Sequence, residues 1–409
     1  MDPVTLGLAV ALFSGVILGL VTILSVARSQ LVAQGEVTVL INNDPEKAQK
    51  VAPGQTLLAA MAAQKIFIPS ACGGGGTCAM CKCRITDGGG DVLPTEVGQL
   101  SLKERKDQVR LACQVKVKQD MKIELPEEIF GVQKFDGIVV SNDNVATFIK
   151  ELVVRLPKGV HMEFESGGYI QIDVPKYSCS FKDFDIADEY RPDWDHFKFW
   201  DINAKNDEDG VFRAYSMANH PAEGNIVMLN IRIATPPRGM DVPPGLCSSY
   251  VFNLKPGDTI TLSGPYGEFE INPTDREMIY VGGGAGMAPL RSQLLHLFYT
   301  LKSGRKISYW YGARSKREIF YEEEFRALEA EFPNFRFVIA LSDPQPEDNW
   351  EGPVGFIHNI VIDEYLSKHD APEDCEFYFC GPPLMLRAVQ KMCDDHGVPD
   401  ENVRFDDFG

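Results

Sequence analysis

Four cysteines carry the sharpest chemical signal in the chain. Cys72, Cys78 and Cys81 are separated by five and two residues within Cys72-Gly-Gly-Gly-Gly-Thr-Cys-Ala-Met-Cys81, and Cys113 follows at a distance. Four thiolates are the ligand count of a 2Fe-2S cluster. The glycines allow the unusual backbone angles that let a loop wrap an anionic centre and aim N–H groups at its sulfurs. Zinc also takes four cysteines, but structural zinc loops usually offer two Cys-x-x-Cys knuckles, and the second half here has Cys113 alone. Cys83 is expected to be turned by strand alternation away from Cys81, as a buried free thiol.

A second constellation joins Arg213-Ala214-Tyr215-Ser216 to Gly245-Leu246-Cys247-Ser248. The Tyr215 ring can cover an isoalloxazine, the Ser216 hydroxyl can reach a ring nitrogen, and Arg213 can pair with pyrophosphate. Gly245 to Ser248 open a short helix whose first N–H groups can hold phosphate. Each motif alone is also compatible with an exposed strand or a plain helix cap. A third constellation is Val281-Gly-Gly283-Gly284-Ala-Gly286-Met287-Ala288-Pro289, placed between a strand and a helix as a phosphate-cradling turn must be. Further on come Arg314, able to hold a ribose or phosphate, and Tyr378-Phe-Cys380-Gly381-Pro382-Pro383 with Met385. Arg314 is followed by Ser315-Lys316-Arg317-Glu318, of both charges, so these residues leave NADH and NADPH open.

The elements that must position these groups follow from periodicity. Glu36 to Asn42 alternate as a strand, and the Leu57-Leu-Ala-Ala-Met-Ala-Ala63 run after Thr56 reads as a capped helix. From Phe135 to Ile271, short apolar runs such as Ile226-Val-Met-Leu-Asn-Ile-Arg-Ile233 are broken by Gly and Pro turns, which predicts an antiparallel barrel. From Arg276 the pattern is strand, Gly-rich turn, helix over Leu290 to Leu301, and strand again, an α/β parallel sheet. With 409 residues the chain is multidomain, and we expect a transmembrane helix over 3–27, an α+β ferredoxin-like (β-grasp) domain over 35–126, an antiparallel β-barrel FAD domain over 130–272 and an α/β Rossmann-like NAD domain over 273–409.

The run 3–27 holds no charged residue and is long enough to cross a hydrocarbon core. A cleaved secretory signal is the alternative, with Ser25-Val26-Ala27 as a cleavage site, although Met1-Asp2-Pro3 lacks a basic residue. The net charge of −18 speaks against nucleic acid as a partner. The segment 177–210, dense in acids and aromatics including Trp194 and Trp200, reads either as a solvated loop or as a docking surface for a partner protein.

Residues 35–125 resemble the plant-type and adrenodoxin-type ferredoxins, the five-residue first gap being that of the adrenodoxin-like members. The two later constellations, in this order, resemble the ferredoxin-NADP+ reductase superfamily. That resemblance implies FAD on Arg213, Ala214, Tyr215 and Ser216, on Asn230, Ile231 and Arg232, and on Gly245 to Ser248. It also implies a nicotinamide dinucleotide on Gly283, Gly284, Gly286, Met287, Ala288, Pro289, Arg314, Gly381, Pro382 and Met385, with Cys380 beside the nicotinamide and Phe408 covering the flavin. Tyr215, Ser216, Cys380 and Phe408 would then stand at the hydride-transfer centre. The whole order, with the insert and the terminal Asp-Asp-Phe-Gly, resembles the F-subunit family of the Na+-translocating NADH:quinone oxidoreductases. It implies NADH as donor, FAD and a 2Fe-2S cluster as carriers, and onward transfer to flavins and ubiquinone in a six-subunit complex of the bacterial inner membrane, with a single-pass anchor and cytoplasmic domains. The sodium path would lie in partner subunits, since the span carries no ionisable residue. Two alternatives remain: the reductase of a multicomponent oxygenase, normally soluble, and a membrane-tethered redox sensor.

Overall fold

The structure, a computed structural model, describes residues 12–22, 35–70, 72–237, 239–240, 242–267 and 269–407. Most of the expected span 3–27 and the flavin cover Phe408 therefore lie outside the described residues. Residues 12–22 form a helix with exposed Leu12, Phe13, Leu18 and Leu20. Among the described residues no helix is long and apolar enough to cross a membrane.

The described chain divides into two compact units, one of Met1–Ser70 with Gly74–Gly131 and one of Ala71–Gly73 with Val132–Gly409. The first is built on a mixed five-stranded sheet of order β2-β1-β5-β3-β4, with β1 Val37–Ile41, β2 Asp44–Val51, β3 Lys82–Asp87, β4 Val109–Leu111 and β5 Met121–Glu124. Val37, Val39 and Ile41 are the buried face of β1, as their alternation requires. The helix Leu57–Ala63 buries Leu57, Leu58, Ala60 and Met61, and Thr56 caps it by accepting the Ala59 N–H at 3.2 Å.

In the second unit, six antiparallel strands run in the order β11-β8-β13-β6-β7-β12: β6 Gln133–Ala146, β7 Ile149–Arg155, β8 Tyr169–Val174, β11 Val211–Ser216, β12 Ile226–Arg232 and β13 Thr259–Tyr266. An isolated bridge joins Met217, just past β11, to Leu229 in the middle of β12, so the two edge strands meet at one point. A parallel five-stranded sheet of order β16-β15-β14-β17-β18 follows, with β14 Met278–Gly283, β15 Ile307–Ala313, β16 Phe335–Leu341, β17 Glu376–Cys380 and β18 Val403–Asp406. Strand order reverses at β14, so the crevice at the carboxyl ends of β14, β15 and β17 is the topological switch point where ligands bind in open α/β sheets. The helix expected over Leu290 to Leu301 starts earlier: an α-helix over Met287–Leu295 passes into a π-helical turn over His296–Thr300.

The insert is not a structureless solvated loop: Phe181, Phe184, Tyr190 and Trp194 are buried, while Phe197 stays exposed. It pairs β9 Tyr177–Ser180 with β10 Asn203–Asn206 and adds a helix over Arg191–Phe197. Trp194 is fully buried and donates its indole N–H to the Thr147 carbonyl at 2.9 Å. Phe181, Phe184 and Phe252 surround it at ring distances of 6.1, 6.2 and 6.1 Å. The acids that made the segment look solvated sit between inward-facing rings, so composition hid an extension of the hydrophobic core.

Candidate functional sites

The cysteine site is set by strand register. Lys82 of β3 pairs with Leu111 of β4, and the Ala112 N–H bonds the Cys81 carbonyl at 2.9 Å, so Cys81 and Cys113 leave adjacent strand ends side by side. Contact with the Cys113 thiol, burial and the nearby Cys78 all hold Cys81 protonated far above its ordinary range. Thiols pressed together in this way are relieved when metal ions take their protons' place. The intervening loop needs left-handed backbone at Gly74, Gly76 and Ala79, and a Cβ on Gly76 would strike the Gln114 side chain. Gln114 in turn donates from Nε2 to the Cys113 sulfur at 3.4 Å, the kind of outer contact that tunes a cluster. Cys72 opens the same loop and is half-buried. The donor set and its glycine cradle fit an iron-sulfur centre.

Cys83 corrects one expectation. Residues two apart on a strand share a face, so alternation does not turn it from Cys81. It is a buried thiol, pushed up to about 12 by burial, with Arg110 opposing and Glu96 and Cys113 adding to the rise. Beside it lies an ion pair that the sequence reading missed. Glu96 is fully buried and receives Arg110 at 2.6 Å, while Arg110 also donates to the Gly89 and Gly90 carbonyls at 2.8 and 2.9 Å. Glu96 further accepts the Leu93 and Leu111 N–H groups, each at 2.8 Å. The pair thus ties the strand that delivers Cys113 to the neighbouring turn.

In the second unit, β11 carries Arg213, Ala214, Tyr215 and Ser216 in register with β8, Tyr215 facing Ile170. Burial and then the Cys247 thiol hold the Tyr215 phenol well above its ordinary range, which places the hydroxyl against the helix Leu246–Asn253. Arg213 lowers the proton affinity of both Tyr215 and Cys247, so a guanidinium stands near the start of that helix. The first bond of the helix runs from Ser249 N–H to the Gly245 carbonyl, leaving the N–H groups of 246–248 ahead of it. A cation and a helix N-terminus together fit a pyrophosphate. Ser248 is committed locally, accepting the Ala234 N–H and donating to Gly245, and the Leu246 carbonyl accepts Tyr177 at 2.6 Å. On β12, Ile231 is in the core against the antiparallel sheet, Asn230 donates to the Tyr321 hydroxyl at 2.8 Å, and the Arg232 guanidinium lies 6.0 Å above the Phe148 ring.

The glycine turn sits at the switch point. Gly283 ends β14, Gly284 takes φ +56°, and Gly286 begins the helix Met287–Leu295, whose Met287, Ala288 and Pro289 are all buried. A Cβ on Gly286 would collide with the Cys380 carbonyl, and one on Gly283 or Gly381 with Met385. Pro382 caps the helix Pro383–Asp395. The turn, Cys380-Gly381 and Met385 therefore interlock. Arg314 stands apart on the exposed end of β15, paired with Asp343 at 3.2 Å.

Cys380 is fully buried, and burial, then Asp406 and Asp407, hold its thiol well above its ordinary range. It is therefore a neutral thiol rather than a nucleophile. Ser216 donates to the Asp406 carboxyl at 2.5 Å across 190 residues of chain. Burial pushes Asp406 up to about 6, with the Ser216 bond opposing and Asp407 adding to the rise. Asp406 is a candidate site residue that motif reading missed. Its position, paired through Cys380↔Asp406 with β17, brings a titratable group to Ser216 and Cys380 at once.

Residues 40–118 match the family described as 2Fe-2S iron-sulfur cluster binding domain, 196–271 the oxidoreductase FAD-binding domain and 280–391 the oxidoreductase NAD-binding domain. The chain is 56% identical over 403 residues to a protein of Idiomarina loihiensis named as the F subunit of the Na(+)-translocating NADH-quinone reductase, covering 98% of each. The protein of the same name from Pasteurella multocida is 54% identical over 407 residues, covering 99% of each. Among solved structures, the ferredoxin reductase in carbazole 1,9a-dioxygenase aligns with a TM-score of 0.60 at 23% identity, over 91% of this chain and 98% of that one. This last likeness shows the fold.

Proposed function

Because the chain belongs to the F-subunit family of the Na(+)-translocating NADH-quinone reductases, we propose that it is the electron-entry component of such a complex, oxidising NADH. Bound FAD would supply hydride acceptance and one-electron release, and a 2Fe-2S cluster on the cysteine loop would supply one-electron transfer toward partner subunits. The observation that carries this reading is the meeting of Ser216, Cys380 and Asp406 where the flavin strand β11 reaches the switch point of the dinucleotide sheet.

The roles of the chain's own residues follow from their contacts. Gly283, Gly284 and Gly286 give a phosphate close access to backbone, and Cys380 presents a small neutral surface at the crevice. Arg213 and the start of the helix Leu246–Asn253 hold the FAD pyrophosphate, and Tyr215 lies against the ring system. The Ser216 hydroxyl donates its hydrogen bond to the Asp406 carboxyl and so turns its oxygen lone pairs toward the reacting face, oriented without a full charge of its own. Cys72, Cys78, Cys81 and Cys113 ligate the cluster, and Phe408 covers the flavin until the nicotinamide enters. The apolar run 3–27 serves as a single-pass anchor in the bacterial inner membrane, with the remaining chain cytoplasmic and five further subunits completing the complex. The anchor favours this assignment over a soluble oxygenase reductase, although the folds are shared.

The test is turnover of NADH with an artificial one-electron acceptor, alongside EPR of the dithionite-reduced, metal-replete protein. Steady turnover with a 2Fe-2S signal is expected. Reduction without turnover would instead support the redox sensor, and absence of the signal would overturn the assignment.

A further inference from the structure

At the amino ends of β14 and β17, opposite the nucleotide crevice, Glu277, His369 and Cys375 converge. Their ligand atoms all lie within 4.8 Å of one another. His369 Nε2 is 3.2 Å from Glu277 Oε2, and Cys375 Sγ is 3.7 Å from the same Nε2. A tetrahedral zinc ion with bonds of about 2.0 Å to nitrogen and oxygen and about 2.3 Å to sulfur has ligand-to-ligand edges of roughly 3.3 to 3.6 Å. The two measured edges bracket that value. The three residues also line a cavity of about 540 Å3 together with Asp374 and Asp275, which gives an ion an entry path and room for a water as fourth ligand.

The geometry points to a zinc-class divalent cation site formed by Glu277, His369 and Cys375, separate from the cysteine cluster and from the hydride-transfer centre. None of the roles already argued uses these residues, and the inference is independent of the proposed function. Binding would release the Cys375 thiol proton to solvent and join sulfur, imidazole nitrogen and carboxylate oxygen to the ion, with no change of oxidation state. Three present contacts must yield, the first being the Cys375 S–H bond to the Ala371 carbonyl at 3.9 Å, which ends when the thiol proton leaves. Lys306, largely exposed, holds Glu277 Oε2 at 3.2 Å and has to swing outward. The Ala371 N–H that donates to His369 Nδ1 at 3.2 Å has to turn away, because a ring bound through Nε2 carries its proton on Nδ1. Tyr365 keeps its bond to the other carboxylate oxygen and orients the ligand.

The test uses the full-length protein carrying its cluster and flavin. After equilibration with zinc chloride and removal of loose metal, zinc, iron and flavin are counted per chain and thermal unfolding is recorded. Wild type should retain one more zinc than Cys375→Ser or His369→Gln at unchanged iron and flavin content, and zinc should raise its unfolding midpoint but not theirs. Lys306→Ala removes the competing cation and should tighten zinc binding about tenfold, the scale of outer-contact effects on metal sites. Equal zinc in wild type and both ligand variants, or unchanged affinity in Lys306→Ala, would show a hydrogen-bond network only and overturn the site. Should the ligand variants lose flavin, the Lys306→Ala result decides alone.

Discussion

Replacing Arg110 with Met tests whether the buried ion pair is what holds the Cys113 strand. Glu96 and Arg110 side chains are 0% and 4% exposed, so the substitution leaves a desolvated carboxylate supported by the Leu93 and Leu111 N–H groups, and leaves the Gly89 and Gly90 carbonyls without their guanidinium. Removing one partner of such a pair costs about 3–5 kcal/mol. At a urea m-value of about 2 kcal/mol/M this moves the unfolding midpoint by roughly 1.5–2.5 M. The assay separates the units without dissection, because all four tryptophans, Trp194, Trp200, Trp310 and Trp350, lie in the second. Far-UV and cluster-absorbance changes that precede any loss of tryptophan fluorescence report the first unit, which holds Cys78, Cys81 and Cys113 while Cys72 falls in the second, and tryptophan fluorescence reports the second. Arg110→Met should shift the first transition and leave the second in place, while Glu96→Leu with Arg110→Met should recover much of the loss, since no charge is then stranded. Burial raises the Glu96 proton affinity, but Arg110 and the two N–H groups outweigh it, and the net shift is downward. The pair's contribution is therefore full above the ordinary carboxylate range and lost as pH falls through the depressed value, and Arg110→Met should remove that acid sensitivity. A first-transition shift below about 0.5 M, or equal shifts in both signals, would refute the reasoning.

Cys72, Cys78, Cys81 and Cys113 exchanged singly for Ser should each abolish the 2Fe-2S signal in the reduced EPR spectrum, whereas Cys83→Ser should keep it; retention in any of the four would remove that residue from the ligand set. Ser216→Ala should slow flavin reduction in stopped flow by about 10²-fold, the usual scale for a positioned proton-holding group. Asp406 titrates upward of its ordinary range, at about 6, so its stabilising share is present at low pH and declines as pH rises through that value. Asp406→Asn should flatten both the stability and the flavin-reduction profiles near pH 6, and an unchanged profile would assign that titration elsewhere. Gly286→Ala pushes a methyl into the Cys380 carbonyl and should raise the NADH KM at least tenfold with flavin content preserved; an unaltered KM would show that the interlock is not required.

What the sequence made legible was local. Cys72, Cys78 and Cys81 lie within ten residues, and one strand pairing, Lys82 with Leu111, is enough to bring Cys113 beside Cys81. The glycine turn likewise announces itself as a run between strand and helix: a Cβ on Gly283 or Gly286 would strike Met385 or the Cys380 carbonyl, and Gly284 takes φ +56°. Asp406 was illegible for the opposite reason: it reaches Ser216 across 190 residues, and nothing in the terminal run marks it until β18 pairs with β17. Trp194 misled in a third way, since flanking Asp193 and Asp195 suggest water while its indole is fully buried. The ion pair of Glu96 and Arg110 shows the same limit more sharply. Two charged residues 14 apart look like surface, and only the fold reveals that each makes the other's burial tolerable. Motif reading thus recovers groups that act through spacing. Groups that act by altering another's charge or orientation emerge when the sheets are assembled, and in this chain those are Asp406 toward Ser216 and Arg110 toward the Cys113 strand.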